Sequence, residues 1–361
     1  MKILYISPQN TVGTLSLWQK VHESRGNRCD FITFFPSPLG FDNGICLNLP
    51  LASGRRFFEP LRGWFYRRTR GPLGEEAPRP GKPPIWEPGS RIEPLFFAFR
   101  DWLWRFKIEP AIRKYGLLDY DVYHFEWGQD LYRSGDFIRR VAALGKPMLA
   151  TYHGQDFRNR GVLPEVDSRV WLSLTSEYDL IPRHPKLKYL YLPYDVAAHE
   201  PRKTVGDPVT ICHATRNRFV KGSDAIIDAC RALEKSHGIR FLLVENRPHS
   251  EVMAAKAESD IYVDQVADLA PGFGMNSIEA MALGVACCTS MDEAYQAFMP
   301  DHPFVNVTAE NLLEQLTALV EDKALLADYA AKARKWAEDH HDLSAAGNQL
   351  YGYYRELGVS V

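Results

Sequence analysis

Short apolar runs recur along this chain, each followed by a turn and then by a segment of helical spacing. The first is Lys2–Ser7 (KILYIS), closed by Pro8. A turn at 10–13 leads into 15–25, where Leu17 and Val21 lie one turn apart, and 29–35 is a second apolar run. Strands apolar on both faces need cover on both, which is the situation of a parallel sheet with helices above and below. The alternation continues through strand 121–125, helix 137–144 and strands 147–152, 170–175 and 188–192. It restarts at strand 209–214 and proceeds through helix 224–236, strand 239–244, helix 250–258 and strands 260–263, 285–289 and 304–307. Helical spacing over 312–340 and 349–357 finishes the chain. The fold class expected is α/β, doubly wound, in two domains. A length of 361 residues allows each its own core. The first is expected over 1–195, a polar linker near Pro201 and Pro208 over 196–207, the second over 208–340, and a terminal helix within 341–361. Ligands in such sheets meet the carboxyl ends of the strands. Gly13, in the turn after the first strand, is thus placed to approach one, or is a plain loop glycine.

Residues 36–94 interrupt the pattern with proline, glycine and arginine. Over 55–70, Arg55, Arg56, Arg62, Arg67, Arg68 and Arg70 face Glu59 alone, interleaved with Phe57, Phe58, Trp64, Phe65 and Tyr66. Rings at headgroup level and guanidinium groups on phosphate suit an anionic membrane surface. They also suit single-stranded nucleic acid, although a net charge of -2 argues against that partner. The plain reading is an insertion whose rings pack on the domain while its arginines stay solvated. The stripe Phe96, Phe99, Trp102, Leu103 and Phe106 on helix 95–115 is expected to be core packing, with an acceptor-facing wall as the alternative.

Six cysteines without a C-x-x-C pair read as reduced thiols of a cytosolic protein. No apolar run approaches ~18 residues, so a spanning helix is not expected. No Asp-x-Asp metal motif is evident, and no metal and no cofactor are expected.

Chemistry concentrates in three places. At 271–284, PGFGMNSIEAMALG runs from Gly272, Phe273 and Gly274 into a helix with Ile278 and Met281. A glycine turn feeding a helix start aims unpaired backbone N–H groups at one point, from Gly272 to Met275 and Asn276, and a diphosphate is attracted there. Glu279 lies in the first turns, where a carboxylate accepts hydrogen bonds from sugar hydroxyls. Burial of the glycines as a packed turn is the competing account. The second place is the strand end His153-Gly-Gln-Asp156, which sets an imidazole at the mouth of the sheet, with Asp156 able to orient it or an acceptor hydroxyl. A capping Asp beside a satisfied His is the alternative. The third is the loop after strand 209–214, where Arg216, Arg218 and Lys221-Gly222 follow His213. Asp264-Gln265 and Glu245 end neighbouring strands.

GFGMNSIEAMALG resembles the signature of the GT-B glycosyltransferases, in particular the retaining family 4 type. The resemblance implies two Rossmann-like parallel-sheet domains facing across a cleft, with the last helix crossing back to the first domain. It implies a nucleotide-sugar co-substrate, Glu279 on its ribose, and Lys221 with Arg216 or Arg218 on its diphosphate. The family's usual spacing puts that arginine at Thr215, while an NR-x-VKG form of divergent members favours Arg218. Asp264 and Gln265 match a DQ pair of that branch, and Glu245 is a weaker candidate for the nucleotide pocket. His153 is implied near the donor sugar. Pro271 stands where the family's first Glu would be. The expected activity is hexosyl transfer to a glycan, lipid-linked or small acceptor, in surface polysaccharide or glycoconjugate synthesis. The expected location is cytoplasmic or peripheral at the inner membrane.

Overall fold

The computed structural model describes residues 1–51, 81–202, 204–267 and 272–360. The basic-aromatic stretch 55–70 and Pro271 lie outside the described residues, as does much of the 36–94 insertion. The chain forms two compact units, Met1–Leu190 with Gln349–Val361, and Tyr191–Asn348.

In the first unit, β1 (Lys2–Ser7), α1 (Thr14–Glu23), β2 (Arg28–Thr33) and β3 (Ile45–Cys46) are followed by the long helix α2 (Glu93–Tyr115). Then come β4 (Val122–Glu126), α3 (Asp136–Ala143), β5 (Met148–Thr151), α4 (Gly154–Asn159), α5 (Pro164–Asp167), β6 (Leu172–Thr175) and β7 (Leu187–Tyr189). The strands form one parallel sheet in the order β3-β2-β1-β4-β5-β6-β7. Ile3 pairs with Cys29 on one side and Val122 on the other, so β1 is central, and all of it after Lys2 is buried. Its Leu4 and Ile6 join Tyr123, Phe125, Phe137 and Ile108 in one buried cluster.

The α2 stripe departs from expectation. Trp104, Ile108 and Ile112 enter the core, but Phe96, Phe99, Trp102 and Phe106 are exposed. They lie on the opposite side of the helix from Ile108, and only one side of a helix can face the sheet. The helix is apolar on two faces, and the covered one is the other one.

The second unit comprises β8 (Thr210–Thr215), α6 (Arg218–Lys221), α7 (Ser223–His237), β9 (Arg240–Glu245), α8 (His249–Ala257), β10 (Ile261–Gln265), α9 (Met275–Ala282), β11 (Ala286–Thr289), α10 (Glu293–Phe298) and β12 (Val305–Asn306). Its sheet is parallel in the order β12-β11-β10-β8-β9. The order therefore reverses between β8 and β10, which makes the carboxyl ends of these two strands the switch point where ligands bind in such sheets. Where one helix was expected over 312–340, there are two, α11 (Leu312–Glu321) and α12 (Lys323–Trp336). Asp322 leaves the helical conformation and its carboxylate accepts from the N–H groups of Ala324 and Leu325, so it caps a new helix.

The last helix, α13 (Leu343–Glu356), carries its final residues into the first unit. There the Tyr351 hydroxyl is 2.9 Å from His22 Nδ1, and that of Tyr354 is 2.6 Å from His124 Nε2. Burial pulls His22 down to about 3 and His124 well below its ordinary value, so both rings are neutral partners of phenols.

Candidate functional site

At the switch point of the second unit, Lys221 ends α6 after β8, and Gly222, in the left-handed region, starts α7. Lys221 Nζ donates to Asp264 Oδ1 at 2.5 Å, while the Ser277 hydroxyl donates to Asp264 Oδ2 at 2.7 Å. One buried carboxylate at the end of β10 thus joins the cation of the first loop to the first turn of α9. Burial would raise the Asp264 pKa, but the Lys221 charge and hydrogen bond, with Ser277, hold it below the usual carboxylate range. His213 donates Nδ1–H to the Val263 carbonyl and accepts from Ser223 Oγ, each at 2.8 Å. This neutral, buried imidazole ties β8 to β10 and to the start of α7.

The glycine turn is held firmly on its inner side. Gly272 N–H donates to Ser290 O, and its carbonyl accepts from Gln265 Nε2 and Thr289 Oγ1. Its φ of 106° and a would-be Cβ only 2.5 Å from the Tyr295 ring leave room for glycine alone. Gly274 differs: its backbone is extended and nothing lies within 4 Å of a Cβ placed there. The Phe273 ring packs on Phe304, Tyr295 and His341, which fixes the backbone entering α9. Residues 273–276 stay partly exposed, and the first N–H groups of α9 have no partner within the helix.

Glu279 is buried two residues after Asp264's partner Ser277 on the same helix, within the span Met275–Ala282. Each carboxylate oxygen has one partner: Oε1 is 2.7 Å from His249 Nε2, and Lys256 Nζ donates to Oε2 at 2.6 Å. The same ammonium donates to Asn276 Oδ1 at 2.8 Å. Burial opposes the charge on Glu279, and the His249 hydrogen bond with the Lys256 charge overrides it, keeping the pKa low. Neither His249 nor Lys256 was singled out from the sequence. The available signal was their spacing of two helical turns on α8, which puts both on one face.

The candidate arginines separate. Arg218 makes a two-point pair with Glu245, at 2.6 and 2.7 Å, on the exposed side of the loop. That pair neutralises Arg218 and occupies Glu245. Arg216 is exposed and directly follows β8, at the start of the loop.

In the first unit, the switch point lies between β1 and β4, since the order reverses there. Gly13 precedes α1 with φ 80°, and a Cβ there would lie 3.0 Å from the Phe41 ring, which accounts for the glycine by local packing. At the end of β5, His153 Nε2 stands 3.3 Å from Glu126 Oε2, a buried residue ending β4. Thr151 Oγ1 donates to the other oxygen of Glu126. Burial pulls His153 down, but Glu126, then Asp156 and Glu177, outweigh it and carry the imidazole to about 9. At neutral pH it is a cation and a donor, not a base. Asp156 accepts the His153 backbone N–H at 2.8 Å and so closes the first turn of α4. The group that orients the ring is Glu126, which sequence reasoning passed over inside EWGQD because a strand-end Glu has no spacing signature.

The fold is that of the GT-B class. Among the solved structures to which the chain is similar is a glycosyltransferase from Rickettsia africae (12% identity, covering 100% of this chain and 99% of that one, TM-score 0.58). The Anabaena protein HepE in complex with UDP-glucose is another (14% identity, 99% and 100%, TM-score 0.55). A Listeria monocytogenes protein assigned as a UDP-N-acetylglucosamine 2-epimerase also matches (11% identity, 100% and 97%, TM-score 0.52). No protein-family profile matches the chain, and no curated protein matches it by sequence. Among the described residues no helix is long and apolar enough to cross a membrane.

Proposed function

We propose that this chain is a glycosyltransferase that moves a sugar from a nucleotide-sugar to a glycan, lipid-linked or small acceptor. The observation that carries the reading is the sharing of Asp264 by Lys221 and Ser277, which brings an ammonium to the positively polarised start of α9 at a switch point. Cations and backbone N–H groups converging there suit a diphosphate, and they stabilise the charge that grows on it as the glycosidic bond breaks. Lys221, Arg216 and the N–H groups of Gly274, Met275 and Asn276 are assigned to the diphosphate. Glu279 is assigned to the ribose: two of its roughly four lone-pair sites are used, leaving others for hydroxyls. His153, as a charged donor, is assigned to a sugar hydroxyl.

The GFGMNSIEAMALG resemblance favours a retaining outcome. The acceptor oxygen then bonds to the anomeric carbon on the face that the phosphate leaves, and the departing phosphate oxygen takes the acceptor's proton. UDP-sugars are the first donors to try, because HepE holds UDP-glucose. Assignment to surface polysaccharide or glycoconjugate synthesis, and to the cytoplasmic face of a membrane, belongs to the same proposal.

The test is a thermal-shift panel of nucleotide-sugars, followed by turnover with and without acceptor. A midpoint raised by one donor and release of nucleoside diphosphate only with acceptor supports transfer. Epimerised donor without acceptor would support the second reading, a nucleotide-sugar epimerase, which the Listeria likeness keeps in view. Donor binding without any turnover would make the chain a non-catalytic sugar-nucleotide binder.

A further inference from the structure

The outward face of α2 is unlike the rest of the surface. Ile92, just before the helix, and Leu95 are each 71% exposed, Phe106 is 65%, and Phe99 and Trp102 are 55%. At ~100° per residue these positions, with Phe96, fall within an arc of roughly 120°, centred opposite the buried Ile108. The rings support one another: Trp102 stacks on Phe99 at 5.9 Å and meets Phe106 edge-on at 5.3 Å. An apolar strip of this length, held open on a rigid helix that is itself anchored by Trp104 and Ile112, marks a contact surface.

Charge decides what it contacts. Within α2 the exposed charges are Arg105, Lys107, Arg113 and Lys114, and Arg91 precedes it. The acids Glu93 and Asp101 are buried, and Glu109 is engaged by Arg140 and the Tyr132 hydroxyl. Large apolar residues on the outer face, with exposed cations beside them and the one marginal acid, Glu109, already paired with Arg140, are the composition of a helix lying in a membrane interface. There, rings and aliphatic groups enter the acyl boundary and cations meet anionic headgroups. A protein partner would be expected to answer a rigid strip with some acidic complement, and a second copy of this face would bring cation against cation.

We infer that the α2 face docks the protein on an anionic lipid bilayer, with Leu95, Phe96, Phe99, Trp102 and Phe106 inserted and Arg105, Arg113 and Lys114 at the headgroups. The inference stands apart from the donor reading. The full chain is mixed with phosphatidylcholine vesicles, with and without phosphatidylglycerol, and sedimented. Binding is expected to the anionic vesicles, weakening as salt is raised, and to fall at least ~10-fold in the F99S/W102S/F106S variant. Arg105→Glu with Arg113→Glu should weaken anionic binding while leaving far-UV circular dichroism and thermal midpoint near those of the parent, since the side chains are exposed. That charge variant keeps the test open if the serine variant fails to fold. Absence of vesicle sedimentation at low salt, equal binding by the folded variants, or a dimer in solution that the charge variant strengthens would each overturn the inference.

Discussion

Lys256 Nζ and Glu279 Oε2 form a 2.6 Å ion pair in which the lysine side chain is wholly removed from solvent. The pair links α8 to α9, and through Asn276 the same ammonium also braces the first turn of α9. With the His249 hydrogen bond, it explains how the Glu279 carboxylate stays charged although buried.

Lys256→Met leaves Glu279 buried with His249 as its remaining partner. A loss of about 3–5 kcal/mol is expected in chemical denaturation. Pairing the change with Glu279→Gln removes the orphaned charge and should recover a large part of it. Recovery of nothing in the double variant would show that the two groups do not act on each other.

The cations of the loop after β8 should rank in a definite order. Lys221→Ala should weaken binding of a nucleoside diphosphate by roughly 10- to 100-fold in calorimetry, the scale of one charge-assisted hydrogen bond. Arg218→Ala should do much less, because its guanidinium is already paired with Glu245. A larger effect at Arg218 than at Lys221 would reverse the assignment.

Two glycines on either side of Phe273 should respond differently. Gly272→Ala forces a side chain into a positive φ and against Tyr295, at a cost of about 1–3 kcal/mol in stability. Gly274→Ala has free space and an extended backbone, so its thermal midpoint should hold while diphosphate affinity falls. Unchanged affinity would remove Gly274 from the site.

His153 makes the first unit's stability depend on alkaline pH. Its pKa is about 9 in the folded chain against 6.5 for the free side chain, so the folded state binds the proton more tightly. The stabilisation is complete below pH 6.5 and is lost as pH rises through about 9. Glu126→Gln weakens the main attraction, so the drop in thermal midpoint between those values should shrink. An identical pH profile in both proteins would refute the pairing as the cause.

The alternation of strand and helix was legible because each buried parallel strand needs apolar residues on both sides and each turn needs its glycine or proline. The glycine stretch at 272–284 was legible for the same local reason. Glu126, His249 and Lys256 were not, since a strand end or a short helix says nothing about which distant carboxylate or imidazole it will meet. The two roles weighed for Asp156, capping or orienting, looked alike along the chain, and geometry gave it the backbone of His153 and gave the ring to Glu126.

What the residues determined alone was periodicity: where helices and strands form and which positions share a face. What only the tertiary structure decided was which face is covered. In α2, apolar side chains point both ways, and burial is a property of the neighbouring sheet, which meets Ile108 and leaves Trp102 in the open. Local backbone preference acts within a few residues, whereas burial and ion pairing are settled by elements far apart in the chain.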